Sequence, residues 1–269
     1  MVAAPERCGL CEGTRHRHLI DYGRPPPGET DFAIAPYART MWQCESCGHI
    51  VNRYGFDSAR ALYEGAYAQA TYGPRMRETF ARILALPPER SDNRQRVARI
   101  QAHVASVGMA GRRLLDVGSG LGVFPAAMTA AGWACTALDP DPRACAMIAE
   151  LAGTATLCGD FMALPPAPDF DLVAFNKVIE HVVDMIAMLA RARAWLAPGG
   201  IAYVELPDGE AAILHSPDRE EFFVEHYAAF SMASAALLAR RSGFAVDAIE
   251  RVREPSSKYT IRLFARPVP

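Results

Sequence analysis

Lysine is almost missing from this chain of 269 residues: Lys177 and Lys258 are the only two, and 26 of the 28 basic residues are arginine. Set among so many alanines, the arginines fit the base composition of the gene better than a phosphate-binding design. No charge of either sign predominates. A net charge of −2 excludes the basic field of a dedicated nucleic-acid binder and leaves only local patches. No apolar run approaches the roughly 18 residues of a membrane span. The opening MVAAPERCGLCEG reaches a charge and two cysteines before any apolar stretch of signal-peptide length. A cytoplasmic location without membrane attachment is therefore expected. There is no internal repeat and no low-complexity tract. What is present is 51% hydrophobic and 22% charged residues, enough apolar surface to repay chain ordering. The length suits one sizeable α/β domain with a small accessory module.

In a reducing compartment the seven cysteines read as metal ligands or core residues rather than disulfides. Cys8 and Cys11 form one Cys-x-x-Cys pair, and Cys44 and Cys47 form another, with 32 residues between them. Two residues between thiolates let a tight turn aim both sulfurs at one ion, and a second such turn closes a tetrahedral zinc site. Four sulfurs leave no open position, so this site is structural. The long spacing implies an inserted loop, placed at Arg24 to Phe32. His16, His18 and His49 are weaker ligand candidates. Cys135, Cys145 and Cys158 lie in apolar segments and are assigned to packing.

Residues 57–107 read as a helical connector and substrate lid, from SARALYEGAY, PRMRETFARILAL and DNRQRVARIQAHVASV. Arg90, Arg94, Arg96 and Arg99 give the last helix a basic face, read as solvated. From Arg112 onward short apolar runs alternate with helical stretches, the pattern of βαβ units and a mainly parallel sheet. RRLLDVG, ACTALDP, DLVAFNK and GIAYVELP are the expected parallel strands. After the helix MASAALLARRSGF, AVDAIERV and KYTIRLFAR are expected to pair as a hairpin. The division is thus 1–56 for a zinc-ribbon module, 57–107 for the connector and 108–269 for an α/β domain of Rossmann-like type.

LLDVGSGLG places a strand, then Gly118, Gly120 and Gly122, then a helix, so a ligand can approach the backbone closely. Asp139 follows 19 residues after Gly120, at the end of ACTALD, where a carboxylate can meet ribose hydroxyls. The spacing is Gly-x-Gly-x-Gly behind Asp116, an acid that would repel a pyrophosphate. Taken in order, LLDVGSGLG, ALDPD, CGDFMALP, FDLVAFNKVIEHV and LAPGGIAYVELP resemble the successive motifs of class I S-adenosylmethionine methyltransferases. The resemblance covers roughly Arg112 to Arg266. It implies that Asp116, Gly118 and Gly120 line the methionine portion of the cofactor, Asp139 the ribose, and Asp160 with Phe161 the adenine. Asn176 would close the strand end near the sulfonium. A cationic sulfonium suits a pocket edged by carboxylates rather than arginines.

His181, beyond the carboxyl end of its strand, and His226 in FFVEHYAAFS stand where chemistry is expected. A histidine near neutral pKa can take a proton from a hydroxyl or an activated carbon, with the adjacent Glu225 orienting it. The two CxxC pairs, LYEGAYAQATYGPRMRETF and EHYAAFS together also look like the nucleotide-sugar C-methyltransferases of deoxysugar biosynthesis, which carry an N-terminal zinc-binding domain. That resemblance implies proton abstraction beside a ketone by His226, with Tyr67 or Tyr72 lining the substrate pocket. This chain departs from that group in EPSSKYTIRLF, where a His-Gly-Gly-Ser segment is usual. Three other readings stand beside it: O- or N-methylation of a small metabolite through the same histidines, an RNA base methyltransferase gripping its substrate with the zinc ribbon, and a zinc-ribbon interaction protein without catalysis. The acidic balance argues against nucleic acid as partner, and intact Asp116, Gly118, Gly120 and Asp139 argue for catalysis. The oligomeric state is left open.

Overall fold

The computed structural model describes residues 1–63 and 76–268, and two sheets form among them. The front sheet is antiparallel, with β1 (His16–Tyr22), β2 (Arg39–Cys44) and β3 (Ile50–Tyr54) in sequence order. Its fourth strand is β9 (Ala228–Ala229), which pairs Ile50 with Ala229 and Val51 with Ala228. The stretch between β1 and β2 is the expected inserted loop. Its Glu29 carboxylate is buried against Arg39, 3.0 Å from the guanidinium, and accepts from the Val224 backbone N–H at 2.6 Å. Arg39 is itself buried over the Tyr22 ring and donates to Asn52 and to the Phe222 carbonyl, so each charge has a partner.

The main sheet has the order β10-β11-β8-β7-β4-β5-β6. β4 (Arg113–Val117), β5 (Ala134–Asp139), β6 (Ala155–Cys158), β7 (Phe170–Asn176) and β8 (Leu196–Pro207) run parallel. Four of these are the expected strands. β6 is the one the pattern did not announce, because ATLC is short and half exposed. β10 (Phe244–Arg253) and β11 (Tyr259–Pro267) form the expected hairpin, but β11 inserts antiparallel between β8 and β10. Burial explains the order: β11 is enclosed along most of its length, whereas β10 carries Asp247, Glu250, Arg251 and Arg253, charges that suit an exposed edge.

Alternation along the parallel strands builds two cores. Leu115, Val117, Val173 and Phe175 face one side, where Met188 and Leu189 of α6 (Met185–Arg191) and Leu238 of α8 (Met232–Arg241) cover them. Leu114, Leu172 and Tyr203 face the other, against Ile100 and Val104 of α3 (Asp92–Ser106) and Met128 of α4 (Val123–Ala130). Of the expected connector, α1 (Ser58–Tyr63), α2 (Met76–Leu84) and α3 are seen; α5 (Pro142–Leu151) follows β5, and α7 (Gly209–Ala212) follows β8.

Two expectations about side chains need correction. The basic face of α3 is not simply solvated: Arg96 is 7% exposed and reaches Glu205, and Arg99 meets Glu250 at 2.8 Å. Arg96 lies one turn before Ile100 on the inward stripe of the helix, which carries it under the sheet. Cys158 is exposed, since β6 is an edge strand and Cys158 closes it, whereas Cys135 and Cys145 are buried as packing residues.

Candidate active site

The main sheet reverses its winding between β4 and β7, and ligands of open α/β sheets bind outside the carboxyl ends of the strands at such a point. A cavity of about 440 Å³ lies there. Gly118 forms part of its wall with φ of 69°, and a Cβ at that position would sit 2.8 Å from Val178 Cγ2. Gly122, at φ of 72°, caps α4, and a Cβ there would press to 2.7 Å from Ile148. Neither position accepts another residue without displacing the wall or the helix.

Asp139 ends β5 with its carboxylate accepting from the backbone N–H of Gly120 at 2.8 Å and of Asp141 at 2.9 Å. The same group thus holds the glycine turn and faces the cavity. Asp141, Asp160 and Phe161 also line it. Asp141 is held below the usual carboxylate range, chiefly by its hydrogen bond from Arg143. Phe161 is buried, stacked on Trp195 and edge-on to Phe175, so it belongs to the core as much as to the cavity. Asp116 and Asn176 do not line the cavity. They sit behind it at the ends of β4 and β7, where Asn176 Nδ2 donates to Asp116 at 2.9 Å. Burial pushes the Asp116 carboxyl up to about 7. Sequence reasoning missed Leu138, Pro140, Val178, Val182 and Met188 in the lining. Apolar residues at strand and helix ends carry no signal that separates a cavity wall from a core.

His181 lines this cavity and also a second one of about 210 Å³, which His226, Glu180, Glu225, Lys177 and Lys258 share. The two rings meet edge to face at 4.7 Å. Burial depresses both imidazoles, His181 to about 4 and His226 well below its ordinary value. His226 is not oriented by the Glu225 carboxylate, as the sequence suggested: its Nδ1 lies 3.0 Å from the Glu221 carbonyl. The Glu225 carbonyl serves His181 instead, also at 3.0 Å. The short helical turn at 220–222 brings the Glu221 carbonyl to the ring. Lys177 and Lys258 pair with Glu254 at 2.5 Å and Glu220 at 3.2 Å. Tyr67 and Tyr72, expected in the substrate pocket, lie outside the described residues.

In the front sheet Cys8, Cys11, Cys44 and Cys47 converge, their sulfurs all within 4.8 Å of one another. Cys8 and Cys47 are 3.6 Å apart and Cys11 and Cys44 3.4 Å. A zinc–sulfur length of about 2.3 Å in a tetrahedron requires edges of about 3.8 Å, so the four fit one such ion with small adjustment. Leu10 N–H points to the Cys8 sulfur and Gly13 N–H to that of Cys11, which favours thiolates. The hydrogen bond from Cys47 pulls Cys8 down to about 4, and Cys47 is pushed up in return. His16, His18 and His49 are not part of the cluster.

Residues 72–249 match the family model described as a methyltransferase domain. A stretch of 101 residues is 33% identical to the ubiquinone biosynthesis O-methyltransferase of Bradyrhizobium sp. (strain ORS 278), covering 36% of this chain and 40% of that protein. Another of 98 residues is 40% identical to an uncharacterized methyltransferase of Mycolicibacterium vanbaalenii, covering 35% of this chain and 38% of that protein. The match thus spans less than half the length of these relatives. Among solved structures, the Burkholderia thailandensis 1,6-didemethyltoxoflavin-N1-methyltransferase, with bound 1,6-didemethyltoxoflavin and S-adenosylhomocysteine, aligns with a TM-score of 0.57. Its sequence identity is 18%, over 91% of this chain and all of that one. The Synechocystis magnesium protoporphyrin IX methyltransferase, with bound S-adenosylhomocysteine, gives 0.57 at 15% identity over 74% and 98%. At such identities the likeness is one of fold.

Proposed function

This chain belongs to the methyltransferase-domain family, and on that premise we propose that it moves a methyl group from S-adenosylmethionine to a hydroxyl of a small metabolite. The observation that carries the reading is the double position of His181, which borders the glycine-turn cavity and the histidine-lined cavity at once. Donor and acceptor held in these two spaces meet at that wall, and such positioning supplies much of the rate in an in-line transfer.

When bound, S-adenosylmethionine supplies an electrophilic methyl group on a sulfonium. The Asp139 carboxylate, in the cavity wall at the end of β5, meets the ribose, while Asp160 and Phe161 flank the adenine. Among the described residues the lining carries the carboxylates of Asp139, Asp141 and Asp160 and no arginine or lysine, which suits a cationic ligand. Gly118 and Gly120 give the methionine portion its approach to the backbone, with Asp116 and Asn176 closing the floor. In the second cavity the Glu221 carbonyl can only accept, so His226 Nδ1 carries the proton and Nε2 the lone pair. His226 is the general base in this reading and His181 its neighbour at the methyl path. A buried imidazole with depressed pKa is a weak base, which favours an acidic hydroxyl over a carbon acid as acceptor. The four cysteines hold a structural zinc ion and take no part in the transfer.

A second reading, methylation at carbon of a nucleotide-linked keto sugar, is favoured by one observation: both lysines of the chain border the second cavity, where phosphate oxygens would have to compete with Glu254 and Glu220 for them. The RNA reading loses half of the basic face it required, since Arg96 and Arg99 are engaged with carboxylates. The test is calorimetric titration with S-adenosylhomocysteine, then incubation with methyl-labelled S-adenosylmethionine and hydroxylated or keto acceptors. Mass spectrometry then locates the methyl. Label on oxygen supports the proposal, label on carbon selects the second reading, and a folded protein that binds no S-adenosylhomocysteine overturns both.

A further inference from the structure

Three side chains at the wall of the second cavity form a pattern that methyl transfer by a lone base does not require. Glu180, His181 and His226 each offer a ligating atom, and these atoms lie within 4.8 Å of one another. Glu180 is 1% exposed, and its Oε2 has no hydrogen-bond partner among the described residues. A carboxylate buried so far with an unsatisfied oxygen is costly unless something positive or protic meets it. Glu225 Oε2, in the same lining, is also unsatisfied.

The histidines are set for the same purpose. Each Nδ1 is 3.0 Å from a backbone carbonyl, that of Glu225 for His181 and that of Glu221 for His226. Both Nδ1 atoms therefore carry protons, and both lone pairs are at Nε2. A backbone carbonyl fixing one ring nitrogen while the other ligates is the usual outer support of a metal-bound histidine. The nearby lysines do not forbid a cation, because Glu254 and Glu220 neutralise them.

We propose that Glu180, His181 and His226 bind a divalent transition-metal ion at the wall of the acceptor cavity. Two imidazole nitrogens and one carboxylate oxygen suit zinc, iron(II), cobalt or nickel better than calcium or magnesium, and they leave coordination positions for water or an acceptor oxygen. An acceptor hydroxyl on such an ion loses its proton more readily, and His226 then serves as ligand instead of base. That role rests on the reading of this cavity as the acceptor site; binding of the ion does not.

The test uses the full chain, equilibrated with cobalt(II), desalted, and measured for bound metal and absorption spectrum. Two equivalents per chain are expected, one with the thiolate-to-cobalt charge-transfer bands of the four cysteines and one with weak visible bands alone. Glu180→Gln and His226→Asn should each remove one equivalent while the charge-transfer bands and S-adenosylhomocysteine affinity persist, which shows that the variants are folded. Wild-type protein that holds only the thiolate-type equivalent overturns the site, as does a second equivalent retained by both variants. Absent S-adenosylhomocysteine binding with the cobalt count intact would count against the methyltransferase reading and leave the metal site standing.

Discussion

Arg96 of α3 places Nη2 2.5 Å from Oε2 of Glu205 near the carboxyl end of β8, both side chains buried. Arg262 and the Tyr203 hydroxyl reach the other oxygen of the same carboxylate, at 3.0 and 2.5 Å. Removing one partner leaves a buried charge undercompensated, at about 3–5 kcal/mol. Because Arg262 remains, Arg96→Met is expected near the lower end, about 3 kcal/mol. Arg99→Met, whose Glu250 partner is partly exposed, should cost less than about 1 kcal/mol. Urea denaturation of the two variants measures the difference, and equal losses would mean that burial of the Glu205 network is immaterial.

Asp116 gives a pH dependence of known sign. Burial raises its carboxyl from 3.8 to about 7, so between those values the folded chain keeps a proton that the unfolded chain has lost. Its contribution to stability is complete below the lower value and declines as pH rises through the upper one. Asp116→Asn keeps the acceptor for Asn176 and removes the titration. The wild-type midpoint temperature, less that of the variant, should therefore fall across this window in thermal melts without ligand. The depressed histidines contribute equally to both proteins and cancel, so a flat difference would contradict the raised carboxyl.

Asp139→Ala should do two things at once. Loss of the ribose acceptors weakens S-adenosylhomocysteine binding by about 1–3 kcal/mol in calorimetry. Loss of the bonds from Gly120 and Asp141 N–H destabilises the unliganded protein by about 1–3 kcal/mol. Weaker binding with unchanged stability would mean that the glycine turn holds itself.

Much of this site was legible because it is encoded in local strings. Gly118, Gly120 and Asp139 announce themselves through a strand-turn-helix pattern whose backbone geometry few residues but glycine satisfy. The paired cysteines announce a cluster through spacing alone. What stayed hidden arises from contacts across the fold. That Glu221, five residues before His226, orients it depends on a helical turn that periodicity does not mark. The burial of Arg96 depends on where α3 lies against β8, and the insertion of β11 on which strand of a hairpin is the better covered.

His226→Asn and His181→Asn are expected to differ. His226 lines only the second cavity, so its loss should lower turnover by roughly 10²–10⁴ while S-adenosylhomocysteine affinity stays within about threefold. His181 borders both cavities, and its variant should lose affinity as well as rate. Paired calorimetry and single-turnover kinetics separate the two, and equal behaviour of the variants would remove the distinction.

Replacing Cys44 by serine should release the zinc ion of the four cysteines and disorder β2 and β3. Since Ile50 and Val51 pair with Ala229 and Ala228, just beyond His226, acceptor binding should suffer more than binding of S-adenosylhomocysteine. Zinc analysis and two ligand titrations check the order, and unaltered acceptor binding in the variant would contradict the coupling.

That pairing also bears on how the chain matures during synthesis. The front sheet reaches forward along the chain: Tyr22 donates to the Pro217 carbonyl, Arg39 to that of Phe222, and Ser231 to that of Cys47. As the polypeptide leaves the ribosome, β3 must wait for nearly the whole methyltransferase domain before its edge is covered. Until then it presents unpaired backbone groups to any neighbouring chain. Early capture of zinc by the four cysteines would hold the nascent hairpin in its native register through that interval. Zinc supply during translation should thus influence the soluble yield of this protein more than the stability of the finished molecule suggests.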